Sequence, residues 1–140
     1  MSSPRPLAII SGGSRGLGYE VAKALSAQGF DLALIAKDPH RLEGAASQLR
    51  ASGAHISTFA CDLEEPHLVR ELIDSINQSL PTPTVLVLAH GVMSEKMSKT
   101  LRTTDAEWNR VMAINLDSVF TLVNVIAPAM ADARKGRVVI

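Results

Sequence analysis

The sequence predicts an α/β fold in which helices cover both faces of a parallel sheet. Two observations lead to this prediction: short apolar runs recur along the 140 residues, and stretches with helical periodicity lie between them. Strands that are apolar throughout are typical of parallel sheets buried on both faces, and helical crossovers connect such strands. We therefore expect a doubly wound sheet that is cut off after its fifth strand.

The apolar runs define five strands, which we place at residues 7–10, 32–36, 55–60, 85–88 and 138–140. Between the first two strands, Leu17, Val21, Ala24 and Leu25 share one face of a helix that Gly29 can end. The same periodicity is stronger over residues 68–80, where apolar side chains repeat more regularly. Both helices are predicted to pack these apolar faces on the sheet.

Two further helix starts are marked by capping residues. Asp38 followed by Pro39 is typical of an N-cap with proline at the first helical position. Thr104 and Glu107 have the spacing of a capping box, ahead of a long helix that begins at about Asp105. The two stretches with loop character are residues 81–83 and about 92–103.

The helix from about Asp105 differs from the others because residues 119–126 leave it almost no polar side. A helix that is apolar all round must be covered on more than one side. We expect the sheet to cover one side, and a partner chain or sequence outside these residues to cover the other. The full-length form is therefore predicted to be a homo-oligomer.

Composition and charge limit what the chain can be. It is 46% hydrophobic and 20% charged, so it can bury a core, and its length fits one domain over residues 1–140. Lys and Arg balance Asp and Glu at 14 each, which favours neither nucleic acid nor a membrane surface as partner. With one cysteine, Cys61, and four scattered histidines, we predict no disulfide and no metal site. The first apolar run is too short for a signal peptide or a membrane span, so we expect a cytoplasmic protein.

The strongest motif is a glycine-rich turn over residues 11–18, between the first predicted strand and the first predicted helix. Glycine permits positive φ and close approach of a ligand, and the free N–H groups of a helix N-terminus suit a diphosphate. The spacing Gly12-x3-Gly16-x-Gly18 is neither the Gly-x-Gly-x-x-Gly dinucleotide fingerprint nor the P-loop. Taken alone, it could also be an ordinary connection between a strand and a helix.

With this turn, the chain resembles the short-chain dehydrogenase/reductase family over all 140 residues. The turn is similar to the family's Thr-Gly-x3-Gly-x-Gly loop, and Asp62-Leu63 to its adenine-contacting Asp-Leu pair. Residues 88–91, Leu-Ala-His-Gly, take the place of the family's Asn-Asn-Ala-Gly, and Asn115 takes that of its helical catalytic asparagine. Residues 136–140 look like the fifth strand. The resemblance implies a Rossmann-type fold and a dinucleotide site, whose expected residues are Ser11, Gly12, Ser14, Arg15, Gly16, Leu17, Gly18, Lys37, Asp62, Leu63, Ala89, His90 and Gly91.

The chain departs from the family pattern in two ways. Leu88 and Ala89 replace the paired asparagines, so we expect His90 and Gly91 to contribute only backbone contacts. The family's serine and its Tyr-x3-Lys pair would lie beyond Ile140, and we expect the natural reading frame to continue. Tyr19-x3-Lys23 has the same spacing but lies on the first helix, where we predict no catalytic role.

The identity of the cofactor is predicted from the end of the second strand. About 20 residues after a glycine loop, an acidic side chain would accept from the 2'-hydroxyl of NAD. Lys37 stands there instead, Arg15 adds a second cation, and Asp38 is better explained as a helix cap. A 2'-phosphate would satisfy both cations, so NADP is favoured over NAD. The alternative is that both cations are solvated surface residues.

By resemblance, the chain is the cofactor-binding part of an NADP-dependent oxidoreductase that interconverts carbonyl and alcohol groups on a small molecule. The 140 residues alone are expected to be inactive, because the acid/base residues are missing. A non-catalytic dinucleotide-binding or interaction module is the second hypothesis. A methyltransferase is the third, and Lys37 argues against it because that class places an acidic residue there.

Overall fold

Strands and helices alternate along the chain in a computed structural model that describes residues 4–94 and 100–140. The strands are β1 (Leu7–Ser11), β2 (Asp31–Ala36), β3 (Ile56–Ala60), β4 (Val85–Leu88) and β5 (Arg137–Val139). The helices are α1 (Gly16–Ala27), α2 (Pro39–Arg50), α3 (Pro66–Ser79), α4 (Asp105–Met112) and α5 (Ser118–Asp132). Each predicted strand is confirmed to within one residue at either end.

The strands form one parallel sheet in the order β3-β2-β1-β4-β5. Ile9 in the central strand pairs with Ala33 of β2 on one side and with Leu86 of β4 on the other. The chain therefore builds outward from β1 in one direction, then returns to build in the other, which confirms the predicted doubly wound topology. In such sheets the crevice where the direction reverses lies at the carboxyl ends of the strands.

A hydrophobic core lies on each face of the sheet, because successive side chains of a strand point to opposite faces. Ile9 packs with the side chains of α3 and α5, whereas its neighbour Ile10 packs with those of α1 and α2. Both residues are completely buried. This two-sided burial explains why the strands read as continuous apolar runs in the sequence.

The buried face of α1 differs from the prediction. Leu17 is 73% exposed, Val21 and Leu25 are half-buried, and the buried positions are Gly18, Ala22 and Ser26. The helix is rotated because its small residues, and not its large ones, face the sheet. A Cβ atom at Gly18 would lie 2.2 Å from the carbonyl oxygen of Gly12, so only glycine permits this approach.

Other predicted features of the helices are confirmed. In α3, Val69, Leu72, Ile73 and Ile76 are buried in the core. The Asp38 carboxylate accepts hydrogen bonds from the backbone amides of residues 40 and 41 at 2.9 and 3.0 Å, which caps α2. The Thr104 hydroxyl accepts from the Glu107 amide at 3.2 Å and caps α4. Residues 81–83 connect α3 to β4 outside both elements, whereas part of the predicted loop at 92–103 lies outside the described residues.

The predicted long helix is continuous from Asp105 to Asp132, with a π-helical turn (Ala113–Asp117) between α4 and α5. By length and composition alone it could cross a membrane. One side, however, is built into the core through Val119, Leu122, Ile126 and Met130, as in the core helix of a soluble domain. The other side exposes Leu116, Phe120 and Val125. Its covering by a partner chain or by sequence outside these residues stays a prediction.

Candidate functional site

A cavity of about 630 Å³ opens at the carboxyl ends of the strands, at the crevice where the winding direction reverses. Its walls come from the turn after β1 and from the segments that follow β2, β3 and β4. Of the predicted site residues, Ser11, Gly18 and Asn115 do not line it. The other predicted cofactor-binding residues all line the cavity: Gly12, Ser14, Arg15, Gly16, Leu17, Lys37, Asp62, Leu63, Ala89, His90 and Gly91.

The glycines of the turn have distinct structural roles. Gly12 has a φ of 70°, and a Cβ there would lie 2.8 Å from the carbonyl oxygen of Ala89. Gly16 has a φ of 56°, and the space beside its Cα is open. The turn is therefore pressed against the segment after β4 on one side and leaves backbone accessible to a ligand on the other.

The N-terminus of α1 adjoins the cavity through Gly16 and Leu17 and has no side-chain cap. Arg15 occupies the N-cap position in an extended conformation and makes no capping hydrogen bond. The next helix, α2, differs, because the side chain of its N-cap residue, Asp38, does accept hydrogen bonds from the first-turn amides. The first-turn amides of α1 are consequently available, with the partial positive charge of the helix end, to an anionic group. This arrangement fits the diphosphate of a dinucleotide.

Lys37 and Asp62 form an ion pair at the rim of the cavity. The Lys37 ammonium lies 2.6 Å from a carboxylate oxygen of Asp62, and the two side chains are 73% and 25% exposed. The hydrogen bond to Asp62 raises the pKa of Lys37. Burial acts to raise the pKa of Asp62, but the bonds from Lys37 and the Glu64 amide outweigh it and lower the pKa. Both side chains are thus charged at neutral pH.

Further groups hold Asp62 in place. Its second carboxylate oxygen accepts from the Glu64 amide at 3.1 Å. Leu63, between them, is buried in the core and fixes the start of the segment. The Arg110 guanidinium of α4 lies 3.8 Å from the Glu64 carboxylate. The adenine-side residues expected from the Asp-Leu pair are therefore anchored to β3 and connected to α4.

Arg41 also lines the cavity and was not among the predicted site residues. It lies in the first turn of α2, four residues after Lys37, and its guanidinium is 3.9 Å from the Asp38 carboxylate. With Arg15 and Lys37 it makes three cationic side chains around the cavity. A cation one helical turn beyond the end of the second strand was the signal that could have indicated it.

The side chain of His90 makes hydrogen bonds to β1, to the π-helical turn and to α5, although only backbone contacts were predicted for this residue. Its Nδ1 lies 2.5 Å from the hydroxyl of Ser11, at the end of β1. Its Nε2 lies 2.8 Å from the hydroxyl of Ser118 and 3.1 Å from the carbonyl oxygen of Ile114. Burial lowers the pKa of His90. The ring therefore connects the glycine turn to α5 in its neutral form.

Asn115 lies in the π-helical turn and binds the chain after β4. Its amide nitrogen donates to the Val92 carbonyl oxygen, and its carbonyl oxygen accepts from the Val92 amide, both at 2.8 Å. These paired bonds mimic those of a neighbouring strand. The π turn, which widens the helix at this point, is a common feature of functional sites. In the described structure Asn115 supports the wall of the cavity.

Tyr19 and Lys23 are engaged on the surface of α1. The Tyr19 hydroxyl donates to the Gln48 side chain at 2.6 Å, and Lys23 pairs with Glu20 at 2.8 Å. Neither lines the cavity. Cys61 does line it, but the residue is buried, and burial raises the pKa of its thiol to about 11. The thiol is thus protonated at neutral pH and is a poor nucleophile.

The strand order, the glycine-rich turn after β1 and the crevice at the carboxyl ends together define a Rossmann-type fold. Residues 6–140 match the family described as short chain dehydrogenase. The chain therefore belongs to the short-chain dehydrogenase/reductase family of oxidoreductases, as the motifs predicted. This membership also excludes the methyltransferase hypothesis.

Individual relatives are similar at low identity. The chain is 29% identical over 133 residues to 2,3-dihydro-2,3-dihydroxybenzoate dehydrogenase of Bacillus subtilis (strain 168), covering 95% of this chain and 50% of that protein. A metagenomic short-chain oxidoreductase in complex with NADP superposes with a TM-score of 0.89 at 28% identity, covering 95% and 60%. A 3-oxoacyl-[acyl-carrier protein] reductase from Brucella melitensis in complex with NAD has a TM-score of 0.82 at 26% identity, covering 97% and 53%.

These relatives bear on the extent and the cofactor of the chain. The chain spans about half the length of the curated relatives it matches. Among the structural neighbours, some hold NADP and at least one holds NAD. Both nicotinamide dinucleotides therefore occur in this fold, and the choice between them depends on residues of the individual chain.

Proposed function

We propose that this chain forms the NADP-binding part of an oxidoreductase that interconverts carbonyl and alcohol groups. One observation carries the proposal: an uncapped helix N-terminus and a glycine turn with accessible backbone face a cavity whose rim carries Arg15, Lys37 and Arg41. A dinucleotide with an additional phosphate matches this combination of amides and cations.

Each part of the cofactor has a group of residues to hold it. The amides of Gly16 and Leu17 would take the diphosphate, and Asp62 with Leu63 would border the adenine. Lys37, with Arg15, would take the 2'-phosphate. When bound, NADPH would supply the hydride for carbonyl reduction, and NADP⁺ would accept it in alcohol oxidation.

The preference for NADP depends on whether the Lys37 ammonium pairs with the 2'-phosphate in place of Asp62. Two opposite charges about 4 Å apart attract by about 4 kcal/mol at an effective dielectric constant near 20. Lys37 is largely exposed and already paired, so solvent and Asp62 reduce this gain. A remaining quarter, about 1 kcal/mol, still favours NADP about fivefold. The phosphate adds nearly two charges, so the exchange of partners is favourable.

Titration calorimetry on the natural protein that carries these residues tests this preference. NADP⁺ should bind about fivefold or more tightly than NAD⁺, and Lys37→Asp should reverse the order by offering an acceptor to the 2'-hydroxyl. Lys135→Asp is the matched control, because it makes the same charge change after α5, away from the cavity, and should leave the order unchanged. Equal affinities for both dinucleotides, unaffected by Lys37→Asp, would contradict the proposal.

The chemistry requires a proton donor near the carbonyl oxygen, and the cavity lacks a suitable one among the described residues. The sole tyrosine of the chain, Tyr19, is engaged away from the cavity, and Asn115 supports its wall. We therefore infer that the proton donor is not among residues 4–94 and 100–140, which the structure describes. Loss of a general acid/base costs about 10²- to 10⁴-fold in rate. The 140 residues alone should consequently show no carbonyl reduction with NADPH, whereas turnover by them would refute this assignment.

The remaining parts of the proposal concern the whole protein. Residues 1–140 are proposed to be the N-terminal part of a single domain, acting on a small carbonyl or alcohol substrate in the cytoplasm. The exposed apolar side of α5 supports a homo-oligomer. The core-facing side of the same helix supports a soluble domain over a membrane span.

A further inference from the structure

His90 links three elements that meet behind the cavity. It follows β4, its Nδ1 contacts Ser11 at the end of β1, and its Nε2 contacts Ser118 at the start of α5. Ser11 is completely buried and Ser118 nearly so. The ring thus joins residues that are far apart in the sequence, and the first of them, Ser11, begins the glycine turn.

The hydrogen bonds assign the protonation state of the ring. The Ser118 hydroxyl donates its hydrogen to the carbonyl oxygen of Ile114 at 2.7 Å, so it can only accept from His90. Nε2 must therefore carry a hydrogen, which it donates to Ser118 and Ile114. In a neutral ring Nδ1 is then an acceptor, and the Ser11 hydroxyl donates to it. Every polar atom of the network is satisfied in this one tautomer.

The network is mechanically connected to the glycine turn. The position of a Cβ at Gly12 would lie 2.9 Å from the His90 amide nitrogen, so the turn and the backbone of His90 are in close contact. A displacement of Ser11 relative to His90 therefore moves the turn. We propose that His90, as the neutral Nε2–H tautomer, is a positioning residue that holds the glycine turn in the conformation that binds the cofactor. This inference rests on the proposed dinucleotide-binding function.

Protonation would break the arrangement. A hydrogen on Nδ1 would face the Ser11 oxygen, and the Ser11 hydroxyl hydrogen would lose the one acceptor it has among the described residues. Stranding a polar hydrogen at a fully buried position is unfavourable. The other titratable side chains that line the cavity are Arg15, Lys37, Asp38, Arg41, Cys61 and Asp62. None of them is a hydrogen-bond partner of the His90 ring in the described structure.

Protonation of His90 would have two opposite effects on the affinity for the cofactor. A positive charge on His90 would attract the diphosphate, whereas loss of the Ser11 bond would disturb the turn. We expect the second effect to dominate, because the ring is hydrogen-bonded at both nitrogens to buried groups and cannot change its partners without moving them. Affinity for the cofactor should therefore fall as His90 is protonated.

The test combines spectroscopy and binding in the natural protein. Nitrogen NMR of ¹⁵N-labelled histidine should show the His90 ring as the neutral Nε2–H tautomer at pH 7. NADP⁺ and NAD⁺ binding is then measured from pH 8 down to the pH at which the same spectra show the His90 ring protonated, for wild type, His90→Ala, His90→Asn and the control His55→Gln. Asparagine keeps an acceptor for Ser11, and His55 is exposed at the opposite end of the sheet. NAD⁺ is included because a 2'-phosphate itself titrates near pH 6.

The expected affinity for both dinucleotides at pH 8 decreases from wild type to His90→Asn to His90→Ala, by about two- to tenfold overall. Below the pKa of His90, wild type and His55→Gln should lose up to about tenfold per pH unit relative to both His90 variants. Identical pH profiles in all four proteins, affinity that rises in acid, or an Nδ1–H tautomer would overturn this inference alone. Absence of dinucleotide binding at every pH would instead reject the proposed function, and this inference with it.

Discussion

Small residues decide the geometry of the cofactor crevice. Gly12 and Gly18 lie where the turn, the segment after β4 and α1 approach most closely, and the Cβ of any other residue would overlap backbone atoms. Large residues of the same helix, such as Leu17, are left facing outward. The close approach is what brings the N-terminal amides of α1 to the cavity wall. The geometry of this site thus depends on residues that have no Cβ atom.

Two glycine substitutions test whether α1 needs glycine to approach the turn. Gly18→Ala places a methyl group 2.2 Å from the Gly12 carbonyl oxygen, so the backbone must move. We expect the free energy of unfolding to fall by at least about 1–3 kcal/mol, which is the usual cost of overpacking. Gly44→Ala is the control, because it lies exposed within α2 with open space around it, and it should stabilise the protein by about 0.5–1 kcal/mol.

Urea denaturation followed by circular dichroism measures both changes. Equal unfolding midpoints for Gly18→Ala and wild type would show that α1 does not need glycine to approach the turn. A destabilised Gly44→Ala would show that the helix position is less open than the structure indicates.

The carboxyl end of α5 shows how an element is terminated at some conformational cost. Arg134 has a φ of 51°, in the left-handed region that favours glycine. Its amide donates to the Ala131 carbonyl oxygen at 2.9 Å, and the Lys135 amide donates to that of Met130 at 3.2 Å. These bonds satisfy the last carbonyl groups of the helix and direct the chain into β5. The conformation therefore serves the fold although the residue type opposes it.

Replacing Arg134 with glycine should stabilise the protein. Relief of the left-handed conformation gains about 1–2 kcal/mol, and the added freedom of glycine in the unfolded chain offsets about 0.5–1 kcal/mol of it. The expected net gain is about 0.5–1 kcal/mol in the free energy of unfolding. Lys135→Gly, at the next exposed position without a positive φ, should bring no gain. If both variants respond alike in thermal unfolding, the backbone strain assigned to Arg134 is absent.

The elements themselves were largely predictable, and their contacts were not. Strands β1, β2 and β4 were predictable because they are buried on both faces, and such strands are apolar throughout. The face of α1 was not predictable, because periodicity indicates that a helix has an apolar side but not how close its partner lies. The bond between Ser11 and His90 joins positions 79 residues apart. No local pattern specifies such a pair, and the same holds for Lys37 with Asp62.

In the whole molecule, apolar side chains of α5, of the π turn and of β5 are exposed. Phe120 is 68% exposed on α5, Leu116 is 53% exposed in the π turn, and the apolar residues of β5 are exposed as well. Scattered exposed apolar residues are common, but several on one helix together with an uncovered sheet edge are typical of a surface that other protein covers.

The isolated 140 residues should consequently self-associate. Sedimentation velocity is expected to show species larger than a monomer, and a dye that reports exposed apolar surface should fluoresce with the protein. Phe120→Lys together with Leu116→Lys should shift the distribution toward monomer, since both positions are exposed and their burial is not needed for the core. A monodisperse wild-type monomer would contradict this interpretation of the apolar surface.

We propose that the crevice at the carboxyl ends of β1 and β4 binds NADP, and a crystal structure of the natural protein grown with NADP⁺ would test this binding directly. We expect the diphosphate on the amides of Gly16 and Leu17, and the 2'-phosphate within hydrogen-bond distance of Lys37, which would have left Asp62. A dinucleotide bound elsewhere, or one seated in the crevice with Lys37 still paired to Asp62 and its 2'-phosphate in solvent, would contradict it.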